Sequence, residues 1–302
     1  MLTCYRNVIV NGVIVVDKPA GCTSHDVVDR VRRITQTRRI GHLGTLDPMA
    51  TGVLPLIVGR ATRLAQYFRT NDKKYDAVVR FGLTTDSYDR EGTVTTTCPG
   101  FEIDRDDLEK ALEAYRGTFS QAPPPVSAKK IKGVTAYKLA RRNIPVDLQP
   151  VEVTIYSLNL VATARDTARL QAHCSSGTYI RSVAHDLGQR LGCGAIIDQL
   201  RRTASGDFSE NQAHTIEDLE LLSDRGRLTE ALIPAAQLLP HFPSETVDAL
   251  TVGQIRQGRD FRVSPFRSRE GCQFVKAVTN DGELIAIGEA KLPNVYHPVL
   301  VL

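Results

Sequence analysis

The chain has 302 residues, 42% of them hydrophobic and 24% charged, enough for one large folded unit and a small one and too apolar for a disordered protein. No secretory segment opens it and no run of about 18 apolar residues interrupts it, which argues against secretion and membrane spanning, so a soluble, cytoplasmic protein is expected. A formal charge of +4 permits a nucleic-acid partner without requiring one, and six cysteines with no C-x-x-C pair exclude a disulfide framework and a cysteine metal site.

In chain order, Val8 to Val16 predicts two short strands around an Asn11-Gly12 hairpin turn. Thr23-Ser24 predicts a capped helix through about Arg33, with Val27, Val28, Val31 and Ile34 inward. Tyr75, Ala77, Val79 and Phe81 alternate as in a half-buried strand, and Asp104 to Tyr115 predicts a helix stopped at Gly117. Strands are predicted over Val151–Leu160 and Arg169–Cys174, then a helix from about Tyr179 to Leu191. A proline-punctuated junction follows Leu232, and Val247 to Leu302 predicts short strands and glycine turns, including a hairpin around Asn280-Asp281-Gly282. Periodicity alone gives mixed α and β. Basic residues cluster at Arg30, Arg32, Arg33, Arg38 and Arg39, again between Lys129 and Arg142, and again over Arg256, Arg259, Arg262, Arg267 and Arg269.

The densest chemical signal is Gly41-His42-Leu43-Gly44-Thr45-Leu46-Asp47-Pro48-Met49-Ala50-Thr51-Gly52. It sets one carboxylate between glycine-bounded turns, with proline next to it, so Asp47 is expected to be held rigidly and to face a space a ligand can enter. Taken alone, the dipeptide is equally an Asp-Pro turn leading into a buried strand.

The whole string resembles the catalytic loop of the TruB-type pseudouridine synthases, where the aspartate is catalytic. Further blocks in the same order carry the resemblance: Val15-Val16-Asp17-Lys18-Pro19-Ala20-Gly21, Lys73-Lys74-Tyr75, Gln121-Ala122-Pro123-Pro124-Pro125, Tyr137-Lys138-Leu139, Ser176-Gly177-Thr178-Tyr179-Ile180-Arg181, and Leu200-Arg201-Arg202-Thr203 to Phe208. The resemblance implies an α+β fold: a mixed, largely antiparallel sheet with covering helices, plus a small C-terminal β-rich domain of the PUA kind. It implies a catalytic domain over 1–235 and an RNA-binding domain over 245–302. The run Pro123-Pro124-Pro125-Val126 departs from many relatives, which bears on fine RNA contacts there and not on the chemistry.

Pseudouridine formation breaks the uridine N1–C1′ bond, turns the base and joins C5 to C1′. Nothing is added or removed, so no cofactor or metal is expected. A carboxylate near C1′ is needed, as nucleophile or as base, and Asp47 fits. A buried carboxylate wants an opposing cation, a part the resemblance gives to Arg181. It makes Tyr75 the stacking residue and a candidate for proton abstraction at C5, Tyr179 a pocket wall, His42 a wedge replacing the flipped base, and Leu200 the apolar floor. Lys18 is expected chiefly to pin the Asp47 loop, with a phosphate contact as the weaker alternative. Cys174, with no base beside it, is not expected to be a nucleophile. The expected partner is the T stem-loop of tRNA, modified at position 55 by a stand-alone monomer. Alternatives are a tRNA-folding chaperone and a guide-RNA-dependent relative, the latter disfavoured by the short tail.

Overall fold

The strand Gly12–Lys18 is apolar without a break over Val13, Ile14, Val15 and Val16, because both of its faces are covered. Ile14 and Val16 pack into one core with Val27, Val31 and Leu219, while Val13 and Val15 pack into another with Leu64, Leu284 and Ile287. The protein is described from a computed structural model at residues 11–126, 130–131, 134–135, 149–263 and 272–302. Apart from Lys130, the second basic cluster lies outside these residues, as do the Tyr137 block, Arg267 and Arg269, and the first arm of the expected N-terminal hairpin.

The main sheet runs Leu232–Pro234, Gly12–Lys18, Thr51–Val58, Ala195–Ser205, Lys73–Phe81, Thr167–Cys174, Val151–Thr163, Gly117–Gln121, with two short strands alongside, Ile40–His42 and Phe208–Ser209. Its strand pairs are antiparallel except one, the parallel pairing of Arg201 with Thr51 and Arg202 with Gly52. That pairing joins the strand leaving the Asp47 loop to the strand carrying Leu200. Gly52 has φ +96 and lies against the Arg202 backbone, with no room for a Cβ. Asn11-Gly12 does not form the expected turn. Gly12 is already strand, paired with Val58 and Pro234, and a Cβ there would collide with the Ile233 carbonyl. The glycine serves close approach, not chain reversal.

One sheet face is covered by helices. Ser24–Thr35 begins at a Thr23–Asp26 capping box and buries Val27, Val28 and Val31. Arg105–Glu113, capped by Asp104, and Ile180–Arg190 cover the far half. The C-terminal region is a five-stranded sheet, in order Ser244–Thr246, Phe274–Val278, Leu284–Leu292, Val295–Val301, Phe261–Arg262. Its hairpin turns at Gly282, φ +81, as Asn280-Asp281-Gly282 predicts. Unlike the strand-only expectation, it also holds a helix, Ala249–Arg256, started by Asp248, whose carboxylate accepts the Thr251 N–H at 2.8 Å. Leu284, Ile287 and Leu300 pack in one cluster with Val13, Val53 and Ile57, so this sheet covers the opposite face of the main sheet at those two strands. Among the described residues, no helix is long and apolar enough to cross a membrane.

Candidate active site

Asp47 sits where the Ile40–His42 strand gives way to the loop returning through Thr51–Val58. Three buried side chains from separate elements hold that loop. Ser24, the first residue of its helix, donates its hydroxyl to Leu46 O at 3.0 Å and accepts Leu46 N–H at 2.8 Å. Lys18 is 0% exposed, and its ammonium donates to Pro19 O at 2.9 Å, Pro48 O at 3.0 Å and Ala50 O at 2.7 Å. Those three bonds use all three of its donors, so the phosphate contact allowed for Lys18 is not available to it. It is a positioning residue, and burial lowers its pKa. Arg202, 1% exposed, forks over the loop from the other side, donating to Val53 O at 2.8 Å, Gly44 O at 3.0 Å and Thr45 O at 3.3 Å.

The carboxylate meets Arg181 at the start of the Ile180–Arg190 helix, where Nη2 donates to Asp47 Oδ1 at 2.9 Å. The guanidinium also donates to Asp89 Oδ2 at 3.2 Å, Ser87 O at 2.8 Å and Val126 O at 3.0 Å. One buried cation thus serves two carboxylates. Burial pushes the Asp47 carboxyl above its ordinary range; Arg181 opposes the shift and Asp89 adds to it. Ser87 Oγ and the Glu91 N–H both donate to Asp89 Oδ1, at 2.7 and 3.1 Å, which fixes Asp89 independently of Arg181.

Asp47 opens into a pocket of about 430 Å³. Its wall contains His42, Tyr75, Tyr179, Arg181 and Leu200, so the fold gathers every expected site residue except Lys18, which acts from beneath the loop. Tyr75 lies half-buried on the Lys73–Phe81 strand, and burial raises its phenol pKa while Arg202 opposes that shift. Tyr179 is fixed through its backbone: buried Gln121 accepts its N–H at 2.8 Å and donates to its carbonyl at 3.0 Å. Burial and Arg202 lower the His42 pKa, and its Nδ1 is buried without a partner. Arg69 and Lys73 add positive charge at the pocket. Burial pushes the Cys174 thiol up to about 11, which leaves it unreactive. Among the described residues no His, Cys, Asp and Glu cluster could hold a metal.

Asp89, Ser24, Gln121 and Arg202 have no signature in the sequence that tells their part. Arg202 stands in a block that carries the resemblance, yet its role follows from strand register, which puts it on the same side as Leu200 and opposite Tyr75.

A pocketed carboxylate on a buried arginine, set on a mixed sheet, is an arrangement suited to acid–base or nucleophilic chemistry on a polar ligand. Residues 32–180 match the TruB family pseudouridylate synthase N-terminal domain, and residues 181–240 the tRNA pseudouridylate synthase B C-terminal domain. The curated tRNA pseudouridine synthase B of Solibacter usitatus (strain Ellin6076) is 57% identical over 292 residues, spanning 97% of this chain and 100% of that protein. That of Aquifex aeolicus (strain VF5) is 40% identical over 283 residues, spanning 93% and 96%. Among solved structures, a chain of "Crystal Structure of a Cbf5-Nop10-Gar1 Complex" superposes with a TM-score of 0.71 at 25% identity, over 97% of this chain and 84% of that one. The chain belongs to the TruB family of pseudouridylate synthases. Within that class its activity is that of a tRNA pseudouridine synthase.

Proposed function

We propose that the protein isomerises the uridine at position 55 in the T loop of tRNA, with the nucleotide flipped out of its stack and Asp47 as the reacting carboxylate. The observation that carries this reading is the Asp47–Arg181 ion pair at 2.9 Å, set in the wall of a pocket that also contains Tyr75. Flipping costs a few kcal/mol, and stacking on an aromatic ring returns about 1–3 kcal/mol, a part suited to Tyr75. His42 fills the gap the base leaves, and Tyr179 and Leu200 confine the nucleoside.

The N1–C1′ bond breaks with its electron pair going to N1. Asp47 either bonds to C1′ as the base departs or removes a ribose proton, and its ionised oxygen serves both routes. The freed uracil turns, C5 bonds to C1′, and the bond or proton held by Asp47 is given back. The C5 proton passes to the Tyr75 oxygen as that hydroxyl gives up its own proton, and N1 gains one. Atoms and charge balance without a cofactor.

The exposed Arg30, Arg33, Arg38 and Arg39 are free to meet an RNA backbone. We assign 1–235 to catalysis and 245–302 to RNA binding, in a monomer. The test is tritium release from C5 of the loop uridines in an unmodified T stem-loop, without any companion RNA or protein. Release confined to position 55, and lost when that uridine is replaced by cytidine, is expected. Release from another uridine contradicts the position, and release only with a guide RNA favours the guide-dependent reading. RNA annealing without any release would favour the chaperone.

A further inference from the structure

Asp89 and Ser87 both face Arg181, and the residue between them has an uncommon backbone. Tyr88 has φ +64, the left-handed region that a bulky side chain avoids. Rotation about its N–Cα bond sets the Ser87 carbonyl relative to everything from Asp89 onward. In the observed conformation the Ser87 carbonyl and the Asp89 carboxylate converge on one nitrogen, Arg181 Nη1, at 2.8 and 3.2 Å. A relaxed Tyr88 would turn the Ser87 carbonyl away.

What holds Tyr88 there is visible. Its ring stacks on His185, with centroids 3.8 Å apart and planes 9° from parallel. Its carbonyl accepts the Ile197 N–H at 3.0 Å, and the Ile197 carbonyl accepts the Arg90 N–H at 3.0 Å, tying the loop to the Ala195–Ser205 strand. His185 lies one turn beyond Arg181 on the Ile180–Arg190 helix, so one helix presents both the cation and the stacking ring. The His185 Nδ1 is buried with no hydrogen-bond partner, so the ring is used for its face.

We propose that the Tyr88–His185 stack is a positioning device for the reaction: it keeps the Ser87–Asp89 loop in its strained form and thereby sets the orientation in which Arg181 presents itself to Asp47. Neither residue lines the reaction pocket, so neither is a catalytic residue. The loop and the helix start are joined at two points, the ion pair and the stack. Loss of the second leaves Arg181 paired but free to shift between its two carboxylates. The inference rests on the reading of Asp47 and Arg181 as the reacting pair.

The test uses the intact enzyme and a T stem-loop RNA, with single-turnover rate at saturating RNA, RNA affinity and melting temperature read for each variant. Tyr88→Ala removes the ring but keeps the cost of the left-handed region, and His185→Ala removes the other half. Each is expected to slow the single-turnover rate about tenfold with affinity and melting temperature near wild type. The double variant should be no slower than either single one. Tyr88→Phe and His185→Phe, which keep a flat ring, should restore the rate. Wild-type rates in the single variants would overturn the proposal, as would rate deficits that multiply in the double variant or that follow the melting temperature. Asp47→Asn separates the two readings. If it is dead while the Tyr88 and His185 variants are normal, only this inference fails; if it is active, the reading of the site fails.

Discussion

Asp47 carries two opposed requirements. As the proposed reacting group it must be enclosed, so that water does not compete for C1′, and it must stay ionised to act as nucleophile or base. Enclosure raises its pKa and Arg181 restrains the rise. The active form is the carboxylate, so the single-turnover rate should fall as pH drops through a pKa above the ordinary aspartate value of about 3.9. Removing the counter-charge with Arg181→Met should slow the reaction and also move that acid limb to higher pH, because nothing of comparable strength then favours the ionised form. A pH–rate profile of the two proteins checks both points; a limb that stays in place would mean that Arg181 does not govern the ionisation. Lys18 offers a different kind of test. Lys18→Met leaves the buried Ala50 carbonyl without its donor and takes one bond from the part-buried Pro19 and Pro48 carbonyls, and a stability loss of about 1–3 kcal/mol is expected in denaturant unfolding. Its RNA affinity should keep the wild-type salt dependence, since the ammonium has no donor left for phosphate.

The Asp47 loop is an element without regular structure, made rigid by its neighbours. Ser24 holds it from a helix start, Lys18 from the end of one strand, and Arg202 from the middle of another. Arg202→Lys keeps the charge but loses the fork that spans Val53, Thr45 and Gly44. The expected result is a fall in single-turnover rate of about 10- to 100-fold with little change in RNA affinity; an unchanged rate would show that the loop does not depend on that fork. Gly52→Ala should abolish folding, read by circular dichroism, because a Cβ there meets the Arg202 backbone where the parallel pair forms.

Legibility in the sequence follows from range. The helix at Thr23 could be read because its cap, Thr23 and Asp26, lies within one turn, and the hairpin at Gly282 because the turn chemistry is local. Gly12 misled because a glycine's two uses, reversal and close approach, look the same until the Ile233 carbonyl is placed. Asp47, Tyr75 and Arg181 were legible through the resemblance, not through spacing. Asp89 and Arg202 were not, since burial and register across the sheet create their roles.

At the scale of the molecule, the main sheet is a platform with helices on one side and the C-terminal sheet over part of the other. Lys276 fastens the C-terminal sheet by donating to the Ala236 and Leu238 carbonyls, at 2.8 and 2.9 Å. Positive charge is carried on the surface: Arg38, Arg39 and Arg60 are exposed around the Val58 end of the Thr51–Val58 strand, and Arg256, Arg259 and Arg262 on the C-terminal unit. Each cation withdrawn from a phosphate should lower the slope of log affinity against log salt by about 0.7–0.9. Arg38→Ala with Arg39→Ala is therefore expected to flatten the slope by about 1–2 while the saturating rate holds; an unchanged slope would place RNA elsewhere.

In the proposed reading Asp47 does the chemistry, and the surrounding residues place it. The most direct test is Asp47→Asn in the tritium-release assay, with RNA affinity measured on the same protein. No release above background is expected, with affinity within about twofold of wild type, since the substitution changes one pocket charge and no surface arginine. Release at an appreciable fraction of the wild-type rate would contradict that role for Asp47, whatever the affinity.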